Sequence, residues 1–347
     1  MFQKNDTVKR YDGLDFAKFL CAFLVISIHM SYFGKRYFEP LTRFAVPIFF
    51  MITGYFYSSI KKSNRESGQI KKTIAILLFS NLLYLLWKIA RCVLLNESFS
   101  IYFSPLLSVK AWIKSLCFNW SFFSEHLWYL GALLYVLVII LIVDKYSHRK
   151  KLYKFIPLLL LANIILGNYS TLLFGVQFPL ILTRNFLFCG LPFFLLGDAL
   201  RQKQCALTQN QLTVMAIFAM LLTMAENIFL LKSGKSFNAD CFFATPFLAY
   251  SLFVLFLENT NNISSKYILA NIAKLGKSTS TTVYIVHPIA ITIVGKIVNI
   301  IGEYFPYLNT MYHYVAPLIV LILCTVFAYF FNLLKEKHSH FLQKTVR

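Results

Sequence analysis

Apolar runs recur along the whole chain, and they constrain it more than any other feature. They lie near residues 14–33, 43–60, 73–95, 127–144, 153–173, 183–200, 211–231, 242–258, 279–301 and 314–334, separated by short polar clusters. Each is roughly 17–23 residues, enough to cross about 30 Å of hydrocarbon at about 1.5 Å of rise per residue. None shows the period-2 alternation of a membrane barrel strand. Composition agrees: 58% of the chain is hydrophobic and only 14% charged, which leaves a soluble fold too little polar side chain for its surface. The 36 Phe and 20 Tyr exclude disorder. The seven Cys show no CxxC or metal-ligand spacing, so no disulfide scaffold and no metal are expected. The expected fold is an all-α membrane protein, a bundle of about ten transmembrane helices. The stretch 153–200 is open to two readings: Gly167, Asn168 and Tyr169 mark a loop, or Pro179 closes a re-entrant segment.

The formal charge is +20, from 34 Lys+Arg against 14 Asp+Glu. On a soluble chain this would point to nucleic acid. Here 22 of the 34 cations fall on alternate loops: Lys4, Lys9, Arg10; Lys61, Lys62, Arg65, Lys71, Lys72; Lys145, Arg149, Lys150, Lys151, Lys154; Arg201, Lys203; Lys266, Lys274, Lys277; and Lys335, Lys337, Lys344, Arg347. The opposite loops hold Lys35, Arg36, Arg43, Lys110, Lys114, Arg184, Lys232 and Lys235. Positive-inside asymmetry places both termini in the cytoplasm and explains most of the charge without a nucleic-acid partner. Asp12 and Asp15 precede the first run and no small-residue cleavage pattern follows it, so no cleavable leader is expected. A single transmembrane domain over 1–347, without an appended soluble domain, is expected as a multi-pass protein of the plasma or inner membrane. The 96–126 segment is the longest external loop and carries Trp112 and Trp120.

Charged groups inside spans are costly and mark cavities or relays. The first run holds Asp15, Lys18 and His29. Lys18 and His29 are eleven residues apart, which puts them on one helix face about 16 Å apart along the axis. Two readings follow: a functional stripe, or a Lys18 paired with Asp15 and a His29 satisfied by a neighbouring helix. Arg43 opens the second run before Pro47; Glu125 and His126 open the fourth; Arg184 opens the sixth and Asp198 closes it. His287 lies near mid-span in the ninth run, followed by Pro288, which frees a backbone carbonyl. Lys88 and Arg91 can snorkel from the end of the third run, Lys296 also lies inside a run, and Glu226 and Asp240 read equally well as solvated loop-side acids. A neutral His29 imidazole can take a proton from a hydroxyl attacking a carbonyl, and Lys18 or Arg43 can hold developing negative charge. No GxSxG, HExxH, Walker A or GxGxxG motif points to other chemistry.

Several blocks carry a resemblance. Tyr11-Asp12-Gly13-Leu14-Asp15-Phe16-Ala17-Lys18 with His29 resembles the first-span motif of the acyltransferase 3 family of membrane proteins. Arg43-Phe44-Ala45-Val46-Pro47 through Thr53-Gly54-Tyr55-Phe56, His126-Leu127-Trp128-Tyr129-Leu130, Arg184-Asn185 through Leu196-Gly197, and Leu275-Gly276-Lys277-Ser278 to His287-Pro288 are similar to its later blocks, in order. The resemblance implies a ten-helix bundle moving an acyl group, usually acetyl from cytosolic acetyl-CoA, onto a hydroxyl or amine of an envelope glycan or similar acceptor. It implies essential roles for Lys18 and His29. Taken with the charged groups above, His29, Lys18 and Arg43 are the expected catalytic residues, and Glu125, His126, Arg184 and His287 the expected cavity residues that bind substrate. Many members carry Arg where this chain has Lys18, and Lys loses bidentate phosphate binding. Glu125 only loosely matches the family's acid in the fourth span. The membrane half of vancomycin-resistance serine racemases resembles the same family, which implies an alternative: transport of a small polar molecule such as serine. Loops 96–126 and 168–182 are expected to set the acceptor.

Overall fold

The computed structural model describes residues 11–203 and 205–345. Lys4, Lys9, Arg10 and Arg347, used above for orientation, lie outside the described residues, as does the side chain of Lys344. The described chain is predominantly helical and contains no β-strand. Its α-helices run α1 Asp12–Ile28, α2 Lys35–Thr42, α3 Ala45–Lys62, α4 Glu66–Leu95, α5 Phe99–Phe103, α6 Val109–Phe118, α7 Trp128–Lys145, α8 Arg149–Leu152, α9 Ile156–Leu166, α10 Ser170–Phe174, α11 Leu191–Gln202, α12 Gln209–Lys232, α13 Thr245–Glu258, α14 Thr260–Ser265, α15 Tyr267–Tyr304 and α16 Pro306–Thr345.

Among the described residues, six segments are long and apolar enough to cross a bilayer: Lys35–Lys62, Glu66–Leu95, Glu125–Lys145, Gln209–Lys232, Tyr267–Tyr304 and Thr310–Lys337. Their outer faces are apolar. On α4, α12 and α16, Leu78, Leu82, Leu86, Val214, Phe218, Leu221, Leu318, Ile322 and Phe330 are each half or more exposed. Such rows are at home only in lipid. The chain is therefore a multi-pass, all-helical membrane protein.

The other expected runs fall on shorter helices, for local reasons. α1 ends at Ile28, and the chain turns at Gly34, whose φ of +77° suits a residue without Cβ. α9 stops at Gly167 after 11 residues, so the loop reading of 167–169 holds there. The chain then passes through α10 and an extended stretch to a π-turn at Phe186–Gly190, opened by Asn185, whose side chain accepts from the Leu187 and Phe188 N–H groups. α13 is apolar but has 14 residues. In the opposite sense, α15 runs 38 residues and carries Lys274 and Lys277, expected on a loop, within the helix. No proline interrupts it before Pro288, so the helix extends past its apolar run.

The chain forms two compact units, Met1–Tyr32 with Leu252–Arg347, and Phe33–Ser251. In the first, α1 packs on α15 and α16, and α15 on α16. Its apolar core holds Ala22, Ile26, Met30, Val283, Val294, Ala316, Val320 and Cys324. Two glycines of the sequence blocks set its closest approaches. A Cβ on Gly276 would stand 2.0 Å from the Asp15 carbonyl oxygen, and one on Gly13 1.7 Å from that of Phe256. Small residues at such points let helix backbones touch, which is how spans associate in lipid.

In the second unit the same device appears reciprocally. A Cβ on Gly54 of α3 would meet the Phe194 carbonyl of α11 at 1.9 Å, and one on Gly197 of α11 would meet the Met51 carbonyl of α3 at 2.0 Å. Fully buried Ile48, Phe50, Met51, Phe193 and Phe194 fill the space around this seam. Phe50 also meets the Tyr129 ring of α7, centroids 4.7 Å apart.

Candidate functional site

In the first unit, Lys18 Nζ donates to Asp15 Oδ1 at 2.7 Å. The residues are three apart on α1, so they share a face. Asp15 also sits in the first turn, where the helix dipole favours an acid. Asp12, almost wholly buried, accepts from the Ser264 hydroxyl at 2.7 Å. Lys18 thus has its counter-charge on its own helix.

His29 caps the far end of α1, its backbone N–H donating to Ile26 O, and its side chain is exposed. Behind it lies His287, fully buried on α15, the two ring centroids 5.2 Å apart. The His29 end of α1 thus has a second imidazole beside it, from 258 positions later in the chain. Pro288 has no N–H, so the carbonyl one turn back, Tyr284 O, loses its helical partner. His287 Nδ1 lies 2.8 Å from that oxygen. A carbonyl only accepts, so Nδ1 carries the proton, and Nε2 of the neutral ring holds the lone pair.

The second unit gathers the remaining candidates around an acid. Arg43 is nearly buried at the end of α2, pairing with Glu39 four residues earlier and, through Nη1, with Asp240 Oδ1 at 3.5 Å. Arg184 Nε reaches the same Oδ1 at 3.0 Å. Thr183 Oγ1 donates to Asp240 Oδ2 at 3.2 Å, and the Asp240 N–H donates to Asn168 Oδ1 at 3.0 Å. Burial raises the Asp240 pKa, but Arg184 and Arg43 outweigh it and hold the carboxyl below its ordinary value. Two guanidiniums face two carboxylates here, and Lys35 Nζ stands 3.9 Å from Glu39 at the edge of the cluster. Asp240 is no solvated loop acid; it is the anion that lets Arg43 and Arg184 stay buried.

Glu125 is exposed and adds negative potential at Arg184. His126 is buried instead, its Nδ1 2.7 Å from Ser124 Oγ and its ring edge-on to Tyr84 of α4 at 5.0 Å. Asn119 links these pieces: its amide donates to Trp128 O at 3.1 Å and accepts from the Phe186 N–H at 2.9 Å. Elsewhere in this unit Asp198, fully buried, accepts from Tyr153, Ser58 and Arg149 at 2.6, 2.9 and 3.2 Å. Lys88 and Arg91 gather toward the C-terminal end of α4: Arg91 pairs with Glu97, and Lys88 Nζ stands 4.2 Å over the Tyr102 ring. Among the described residues no group of three His, Cys, Asp or Glu side chains is arranged to hold a metal ion.

The structure therefore joins His29 with His287 in one unit and Arg43 with Arg184 in the other. Sequence reasoning left Asp240 open between a functional and a solvated acid, read Asn168 only as a loop marker, and missed Glu39 and Asn119. A signal existed for the acids: two arginines at span ends need carboxylates on the same side, and Glu39 and Asp240 are the acids next in sequence to Arg43 and to the eighth run.

The chain matches the sequence profile of the "Acyltransferase domain" family over residues 11–334. It belongs to the acyltransferase 3 family, as its sequence blocks suggest. Two curated proteins of Enterococcus faecalis, each named "Amino-acid racemase", are 28% identical to it, over 327 and 216 residues. These alignments cover 86% and 56% of this chain, but 43% and 28% of the racemases, so the chain spans under half the length of those relatives. No solved structure matches it.

Proposed function

We propose that this protein is an acyltransferase of the plasma or inner membrane. It moves an acyl group, acetyl in the first instance, from cytosolic acyl-CoA to a hydroxyl of an envelope glycan or a related small acceptor, with both termini in the cytoplasm. The observation that carries this reading is an exposed His29 backed by a fully buried His287 in a member of the acyltransferase 3 family. An accessible imidazole with a fixed partner is the arrangement a general base needs. Lys18, tied to Asp15, adds local positive potential on the same helix rather than a free anion hook. Arg43 and Arg184 bind an anionic substrate group only by sharing it with Asp240; Glu125 and His126 shape the same unit.

The test is acyl transfer by the purified protein in lipid nanodiscs, read as CoA thiol release from acetyl-CoA with a soluble glycan present. His29→Ala is expected to lower the rate by about 10²–10⁴-fold while the protein stays folded. Unchanged turnover by the folded variant refutes the mechanism.

The racemase relatives favour a second reading, in which the chain moves a small amino acid such as serine across the membrane. Uptake of labelled serine into proteoliposomes without acyl donor would support transport; CoA release without uptake would support the enzyme.

A further inference from the structure

We infer that His287 is the positioning residue for His29, and that Pro288 is what makes it one. The inference rests on the acyltransferase reading and adds a residue and a tautomer to it. Pro288 removes the N–H that would bind Tyr284 O, and His287 Nδ1–H takes that carbonyl at 2.8 Å. The ring is fully buried, so water does not compete for its nitrogens. With Nδ1 committed as donor, Nε2 can only accept. The neighbouring imidazole is His29, in a tilted ring contact at a centroid separation of 5.2 Å with 43° between the planes, not in a hydrogen bond. A turn of the His29 ring from this contact aims one of its N–H groups at Nε2, and His287 then holds the His29 proton on the nitrogen facing inward. The lone pair of the other His29 nitrogen then faces the exposed side, where an acceptor hydroxyl arrives.

The reaction balances with these groups alone. His29 takes the hydroxyl proton while the oxygen forms its bond to the acyl carbon. The carbon–sulfur bond breaks, CoA leaves with that electron pair, and the proton on His29 passes to the thiolate. While His29 is doubly protonated, its inward N–H donates to His287 Nε2, which stabilises the cation and keeps the ring from turning. His287 touches no reacting atom in this scheme.

The experiment uses the full chain in nanodiscs, with ¹⁵N-labelled histidine for tautomer assignment and CoA release from acetyl-CoA, with a chito-oligosaccharide as hydroxyl probe, for turnover. Native protein is expected to show His287 as a single Nδ1–H tautomer and His29 as one fixed tautomer. His287→Leu is expected to give a mixed His29 tautomer and about a 10²-fold loss of rate, with thermal unfolding followed alongside. His287→Gln, which keeps an acceptor reaching toward His29, retains most of the rate. Pro288→Ala restores an N–H for Tyr284 O, so it is expected to free His287 Nδ1 and slow turnover while leaving the helix at least as stable. A merely structural role predicts the reverse for this variant. Turnover and a His29 tautomer unchanged by His287→Leu overturn the proposal alone. An inactive native protein overturns the acyltransferase reading, and the spectra still report whether His287 sets the His29 tautomer.

Discussion

Asp240 shows how far a single side chain can decide the state of its neighbours. Arg43 and Arg184 are mostly shielded from water, and both face one carboxylate oxygen. Asp240→Asn keeps the shape and removes the charge, leaving two poorly solvated cations with Glu39, which Lys35 also approaches. We expect a loss of about 3 kcal/mol, read as a lowered unfolding midpoint in detergent. The pH dependence follows from the sign of the shift. The folded carboxyl titrates below its ordinary 3.8, so its stabilising contribution is fully present above that value and is lost as pH falls through the folded one. Native protein should therefore lose stability below about pH 4, and Asp240→Asn should lack this component. The sequence placed Arg43, Arg184 and His29 as candidates because charge and imidazole in apolar runs stand out. It hid their partners because a loop acid looks alike whether solvated or buried, and because periodicity along α1 does not say which later helix brings His287 alongside.

Between helices, the glycines carry the information that hydropathy does not. Gly54 and Gly197 each place a backbone against the other's helix, with about 2 Å available where a methyl would stand. Gly54→Ala or Gly197→Ala must push α3 and α11 apart, opening the Phe50–Phe194 core, and each is expected to destabilise by about 1–3 kcal/mol or prevent folding. Gly68 in α4 is the matched control, since nothing lies within 4 Å of its added Cβ. Gly68→Ala should be neutral or stabilising by about 0.5–1 kcal/mol. Differential unfolding of the three variants separates the packing effect from helix propensity. The helices themselves were legible as apolar runs, and their ends shifted where local chemistry intervened. α1 stopped short, α9 stopped at Gly167, and α15 ran on through Lys274 and Lys277, since positive charge ends an apolar run without ending a helix.

For the molecule as a whole, the asymmetry of its cations gives an orientation that a chemical probe can read. All seven cysteines are free thiols; Cys117 on α6 is exposed and the others are buried or partly so. If the 96–126 segment is external, a membrane-impermeant maleimide added to intact cells should label Cys117 quickly, and Cys117→Ser should abolish that signal. Labelling that appears only after permeabilisation would invert the orientation. The close seat of α1 against α15 has a consequence in time. Asp12 and its partner Ser264 are 252 residues apart, and the glycine contact between α1 and α15 forms later still. At roughly 5–20 residues per second a ribosome needs on the order of 10–50 s to cover that interval. α1 therefore waits, with Gly13, Asp15 and Lys18 uncovered, until α15 and α16 arrive. Any machinery that guards unfinished membrane proteins will meet this face before it meets the finished fold.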